Sequence, residues 1–138
     1  MIIPYRKYKD RDGNFVQLPI VSVHITRNKV SLPLWGLVDS GADITLLSAS
    51  FARLLRIDDL TKGKRIPLVG VMEGPEFAAY LHQVNLAVKG VGAADTLVGF
   101  TDSEKHPDLV ILGRRGFFEH FTIKFEEHKK QMEIEPTK

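Results

Sequence analysis

Apolar and polar residues alternate with period two over residues 15–26, putting Val16, Leu18, Ile20 and His24 on one side and Val21, Val23 and Ile25 on the other. That alternation predicts a long strand, opened by the turn signal Arg11-Asp12-Gly13-Asn14. Arg27-Asn28-Lys29 is polar and turn-like, and residues 30–38 return as a second strand. The returning arm ends in the apolar run Leu34-Trp35-Gly36-Leu37-Val38, so the hairpin delivers Asp39 to its tip. Pro33 lacks a backbone donor and marks an edge or irregular position of that arm. Further on, residues 44–47 are short and apolar, and Ser48 offers an N-cap for a helix of about residues 49–56 carrying Phe51, Leu54 and Leu55 at helical spacing. Residues 58–64 read as a polar linker, and 65–71 with 76–88 as two arms of a hairpin around Gly74-Pro75. Then come a turn at 90–94, a short strand at 97–100, a polar loop at 101–107 and a buried strand at 109–112. A second helix is expected over 115–121 despite Gly116, before a last hairpin of 122–125 and 131–134. No repeat, low-complexity tract or domain linker interrupts the chain, so residues 1–138 read as a single, strand-dominated domain.

Composition narrows the classes. A chain of 138 residues can bury well over half of its unfolded surface in one core. Apolar residues make up 43% and charged residues 26%, and no apolar stretch nears the roughly 20 residues that cross a bilayer, which argues against disorder and against a membrane span. Residues 1–12 lack the apolar core of a secretory signal, so a cytoplasmic location is expected. The absence of cysteine excludes disulfides, thiolate nucleophiles and Cys-ligated zinc. Nineteen basic against 17 acidic side chains give a net charge of +2, short of the concentrated basic face of a nucleic-acid binder; Arg6-Lys7-Tyr8-Lys9 reads as a solvated strand or arm.

The chemistry concentrates on Asp39-Ser40-Gly41, a carboxylate on a tight turn just past an apolar strand. Hydrolysis of a peptide without metal or nucleophilic side chain needs a water activated and a carbonyl oxygen protonated together, which two carboxyls sharing one proton accomplish. No second Asp-Ser-Gly or Asp-Thr-Gly occurs in the chain, so a partner carboxylate has to come from a second copy. Other candidates carry less. Asp102, Glu104, His106 and Asp108 match no standard ligand spacing and read as an acidic surface loop, so no metal is expected. His120 and His128 read as surface histidines. Ser48 and Ser50 lack a Gly-x-Ser-x-Gly elbow. Trp35, Phe117, Phe118, Phe121 and Phe125 read as core rather than base-stacking groups.

The segment Leu37-Val38-Asp39-Ser40-Gly41-Ala42-Asp43-Ile44-Thr45-Leu46-Leu47 resembles the active-site segment of retropepsin-like aspartic proteases, the homodimeric branch that includes the retroviral enzymes. Val110-Ile111-Leu112-Gly113-Arg114 resembles the apolar-apolar-Gly-Arg element of that family, and Val69-Gly70-Val71-Met72-Glu73-Gly74-Pro75 lies where the family places its mobile flap. In order, the likeness spans about residues 17–125.

The resemblance implies an all-β, closed-barrel-like retropepsin fold with one or two short helices, and no cofactor. It implies an aspartic endopeptidase hydrolysing peptide bonds through Asp39 and its counterpart at a homodimer interface, acting on a peptide or protein substrate with no nucleic-acid or membrane partner. Ser40 would hydrogen-bond across the dimer, and Gly41 lets the backbone donate to the carboxylate. Asp43 would ion-pair with Arg114, which follows Gly113, beneath the site. Val69, Gly70, Val71, Met72, Glu73 and Gly74 would form the substrate-binding flap, with Glu73 and Pro75 departing from the family's glycine-rich tip. Val38, Ile66, Val69, Val71, Phe77, Leu109 and Ile111 are the apolar candidates for pocket walls, and the strand 131–134 for pairing between subunits. The alternatives are a catalytically silent dimeric peptide-binding or assembly module of the same fold, and a regulatory domain cut from a longer polyprotein.

Overall fold

The predicted hairpin forms as β4 (Ile20–Arg27) and β5 (Val30–Val38), antiparallel from Ile20↔Leu37 to Arg27↔Val30. Asn28 and Lys29 join them with φ of 53° and 64°, the two left-handed residues that a type I′ turn requires. Along β4, Val21, Val23 and Ile25 are buried while Ser22, His24 and Thr26 are only partly covered, as the alternation demands. The computed structural model of the protein describes residues 1–68, 78–102 and 110–137.

The strand expected over 15–26 is in fact two. Pro19 interrupts it, having no N–H to donate, and β3 (Phe15–Leu18) pairs instead with β2 (Arg6–Lys9) in a separate two-stranded ribbon. Pro33 sits where β5 has a free edge, because β10 (Val110–Leu112) pairs in parallel only with residues Gly36 to Val38. β10 also meets β6 (Leu46–Leu47), which runs parallel to β9 (Gly92–Thr101). β9 pairs along β8 (Ala78–Val88), and β8 returns to β4. The order β4-β5-β10-β6-β9-β8 thus closes on itself as a six-stranded barrel, with β7 (Lys64–Pro67) added to the start of β8. Val23, Ile25, Leu47, Leu86, Val98, Phe100, Val110 and Leu112 fill its interior.

Several expectations need correction. The short strand at 97–100 is the end of the ten-residue β9, since the turn before it tightens around Gly90, whose φ is 80°. The helix expected at 49–56 is α1 (Ala49–Leu54), stopped by Arg56 in the left-handed region at φ 59°. Ser48 stands at its N-cap position, but its hydroxyl pairs with Ser50 at 2.6 Å instead of capping. No helix spans 115–121. Gly116 adopts φ of 94°, and a Cβ there would lie 2.7 Å from the Leu97 carbonyl, so the segment turns rather than coils. Trp35 is 46% exposed, because even-numbered Gly36 and Val38 face inward and Trp35 faces out under the Arg6 guanidinium, 3.9 Å from the ring centroid. Phe125 is also exposed, while Phe117 and Phe121 are core as expected. His120 is partly buried, its Nε2 3.1 Å from the Thr96 hydroxyl. No helix among the described residues is long and apolar enough to cross a membrane.

The last hairpin, β11 (Phe121–Glu126) and β12 (Gln131–Pro136), gains a strand that the sequence pattern did not suggest: β1 (Ile2–Pro4) pairs with β12 on its other side. β12 is therefore the middle strand of three, with both edges filled from its own chain. Residues 131–134, expected to pair between subunits, are within this chain already paired on both sides, by β1 and β11. Tyr5 follows β1, its N–H bonded to the Lys130 carbonyl at 2.8 Å. Burial raises its phenol above the usual value of 10.0, helped by the charge of Glu127 and by a hydrogen bond to that carboxylate. The folded state thus keeps a proton that the unfolded chain releases above about pH 10, so this contribution to stability is complete below pH 10 and declines as pH rises further. Tyr5→Phe, which keeps the ring and loses the hydroxyl, should give a shallower fall in urea midpoint between about pH 9 and 11 than the wild type. Identical slopes would show that Tyr5 is not the group responsible.

Candidate active site

The chain leaves β5 at Val38, makes the turn 39–45, and enters β6; between these strands lies β10. Asp39 N–H donates to the carbonyl of Leu112, the last residue of β10, at 3.0 Å. Its carbonyl accepts from Ala42 N–H at 3.2 Å, closing a tight turn. Gly41 N–H donates to Asp39 Oδ1 at 2.9 Å, and a Cβ on Gly41 would stand 3.2 Å from that same oxygen, so glycine leaves the approach clear. The Asp39 side chain is half-buried, and Ser40 and Gly41 are exposed. The tripeptide therefore presents its carboxylate on an open face, held by one backbone donor.

The second motif docks on the same turn. Arg114 N–H donates to the Ala42 carbonyl and Arg115 N–H to the Asp43 carbonyl, both at 2.9 Å. The side chains of Asp43 and Arg114 form a salt bridge, as the resemblance implied, but in the single chain it is an open one, with the side chains 79% and 59% exposed. An ion pair so solvated contributes about 0–1 kcal/mol. Gly113 has a different reason to be glycine: a Cβ there would lie 2.3 Å from the Ile44 carbonyl oxygen and 2.9 Å from that of Ala42. Only a residue without side chain lets the two backbones meet this closely.

One residue of the site was not singled out from the sequence. Thr45 is fully buried; its N–H donates to the Arg115 carbonyl at 2.9 Å, its carbonyl accepts from Gly99 N–H at 2.8 Å, and its hydroxyl accepts from Gly113 N–H at 3.0 Å. It ties the aspartate turn, the Gly-Arg segment and β9 together. A lone hydroxyl between Ile44 and Leu46 was the available signal. Of the proposed wall residues, Val38 is buried in the core and Ile66 and Ile111 are partly covered. Val69, Gly70, Val71, Met72, Glu73 and Gly74, with Phe77 and Leu109, lie outside the described residues; what is described is the base of that hairpin, β7 paired with β8 from Lys64↔Leu81 to Pro67↔Ala78. Among the described residues no three His, Asp or Glu side chains gather as metal ligands.

No protein-family model and no curated protein matches the sequence. Solved structures do. A retropepsin-like aspartic protease from Rickettsia conorii aligns over 96% of this chain and 86% of its own, at 19% identity and a TM-score of 0.57. The EIAV protease, solved with the inhibitor HBY-793, aligns over 71% of this chain and 83% of its own at 26% identity and a TM-score of 0.46. The retroviral protease-like domain of Ddi1 from Leishmania major aligns over 70% and 74% at 22% identity and a TM-score of 0.44. The chain-wide match to the Rickettsia conorii structure, together with the closed barrel, establishes the retropepsin-like fold.

The buried bond at Thr45 can be tested on its own. Thr45→Val keeps the shape and removes the acceptor, stranding Gly113 N–H, and should lower stability by about 1–3 kcal/mol in urea denaturation. Thr45→Ser, which retains the oxygen, should recover the part owed to the hydrogen bond. Wild-type stability in the valine variant would mean that the bond contributes nothing.

Proposed function

We propose that the chain is one half of an aspartic endopeptidase, active as a symmetric homodimer in which Asp39 and its counterpart in a second copy form the catalytic pair. The observation that carries this reading is the position of Asp39: one half-buried carboxylate per chain, on a turn that β10 anchors between β5 and β6 of a retropepsin-like barrel. Two such carboxyls brought close cannot both ionise cheaply, so they hold one proton between them and titrate as a pair. The ionised member takes a proton from water as its oxygen attacks the peptide carbonyl carbon, and the protonated member delivers its proton to the carbonyl oxygen. Proton return to the amine nitrogen then lets the C–N bond break. Gly41 N–H fixes Oδ1 of each carboxylate, and Ser40 ties the two turns together across the axis. An extended peptide or protein substrate lies in the cleft shared by the two Asp39 turns, its backbone supplying affinity by added-strand pairing.

Asp39→Asn should lower kcat/KM on a peptide library by several orders of magnitude without changing the folded state, and specific activity of the wild type should fall on dilution as the dimer dissociates. Full hydrolysis by the folded asparagine variant sinks the assignment of Asp39. Full activity from a sedimenting monomer sinks the dimer.

Asp43 and Arg114 support the site from beneath in this reading. In a lone chain their coupling should stay under about 1 kcal/mol, as for any exposed pair. If the partner covers them, removing either one strands a charge at roughly 3–5 kcal/mol. A double-mutant cycle on Asp43→Ala and Arg114→Ala, scored on the dimer dissociation constant, should therefore show the double variant costing less than the sum of the singles. Simple additivity would separate the two residues.

A further inference from the structure

The edge of β8 opposite β9 is shared by two strands that do not meet. β7 covers residues Ala78 to Leu81 and β4 covers Asn85 to Ala87, so among the described residues His82 to Val84 have no strand partner on that side. The gap opens into a cleft of 860 Å³. Arg27 reaches across it, donating Nη1 to the unpaired Gln83 carbonyl at 2.8 Å, while its buried Nε has no hydrogen-bond partner. Arg56, Lys62 and Lys64 line the same cleft, and none of the four cations forms a salt bridge with a described residue. Two carboxylates line it too, Asp58 and Asp59; Asp59 accepts from the N–H and hydroxyl of Thr61 and also feels the charge of Lys62, so the lining sets four cations against two anions and keeps a positive excess. His82 offers no negative counterpart: its Nε2 lies 2.8 Å from the Leu60 carbonyl, which can only accept.

We propose that this cleft binds a small polyanion carrying a chain of phosphate groups. A guanidinium held half-buried without a counter-charge is costly, and a fork of N–H donors beside two ammonium groups matches phosphate oxygens in charge and geometry. The volume lies within the range of small-ligand pockets. The cleft is not the proposed peptide site: it stands at the Arg27↔Val30 end of the β4–β5 hairpin, roughly 30 Å along the strand from the end that carries Asp39. It joins Lys62 and Lys64, just before and at the start of β7, to Arg27 at the end of β4 and Arg56 just after α1.

Calorimetric titration of the full chain with inorganic tripolyphosphate and with adenosine triphosphate tests the site without using peptidase activity. Saturable binding that weakens as salt rises is expected, with amide shifts in NMR centred on Gly63, His82 and Gln83. Equal affinities mean that the phosphate chain alone is read; a tighter nucleoside triphosphate adds a contact to the base. Arg56→Gln with Lys64→Gln, both exposed and outside the core, should weaken binding on the order of tenfold or more, since each removes a charge-assisted contact. Arg27→Gln should weaken it further if it folds. No binding of either probe, shifts centred elsewhere, or undiminished affinity in the Arg56→Gln/Lys64→Gln protein overturns the proposal.

Discussion

Everything in this molecule that bears on chemistry depends on one close approach of backbone to backbone: Gly113 against Ile44 and Ala42. β10 is three residues long, yet it is the wedge that joins β5 to β6 and so closes the barrel. It can do so only because no side chain intervenes at Gly113, where a Cβ would stand 2.3 Å from a carbonyl oxygen. Such a distance admits no small adjustment by a rotamer, since the obstacle is main chain on both sides. The reward is a set of hydrogen bonds, from Asp39 to Leu112, Arg114 to Ala42 and, buried, Gly113 to Thr45, that fixes the aspartate turn from below. The position of the Asp39 turn is thus set by the scaffold rather than by the side chain itself.

Much of this was legible in the chain, for identifiable reasons. Period-two alternation locates β4 because one of its faces is buried against the core. Asp39, Gly41, Gly113 and Arg114 stand out not singly, since turn residues are common, but as motifs in order along the chain that resemble the retropepsin-like pattern. What escaped notice was non-local. β1 finds β12 across the whole length of the chain, and nothing in Ile2-Ile3-Pro4 encodes that partner. Gly116 looked tolerable in a helix until Leu97 and Thr45 closed over it. The break at Pro19 was written in the sequence, but the unbroken alternation on both sides of it outweighed one missing donor.

The exposure of the Asp43–Arg114 pair fits the same picture. A bidentate-capable guanidinium beside a carboxylate is poor value on an open surface, where water screens it. Its worth depends on what covers it. The half-buried Asp39, the exposed Ser40 and this pair lie on consecutive segments of one turn and its docked neighbour, so whatever covers one of them bears on the others. The outward face of Trp35, stacked under Arg6, marks the side of β5 that the barrel does not use.

The terminal sheet has a further consequence. With β12 held between β1 and β11 of the same chain, each protomer completes that sheet before it meets another, and no strand needs to be exchanged. In the proposed homodimer, association of two chains would then be a docking of finished bodies, a bimolecular event distinct from folding. A folded monomer would persist at low concentration, in contrast to obligate dimers whose subunits have no stable structure alone. Concentration, more than folding yield, would set how much of the paired form exists.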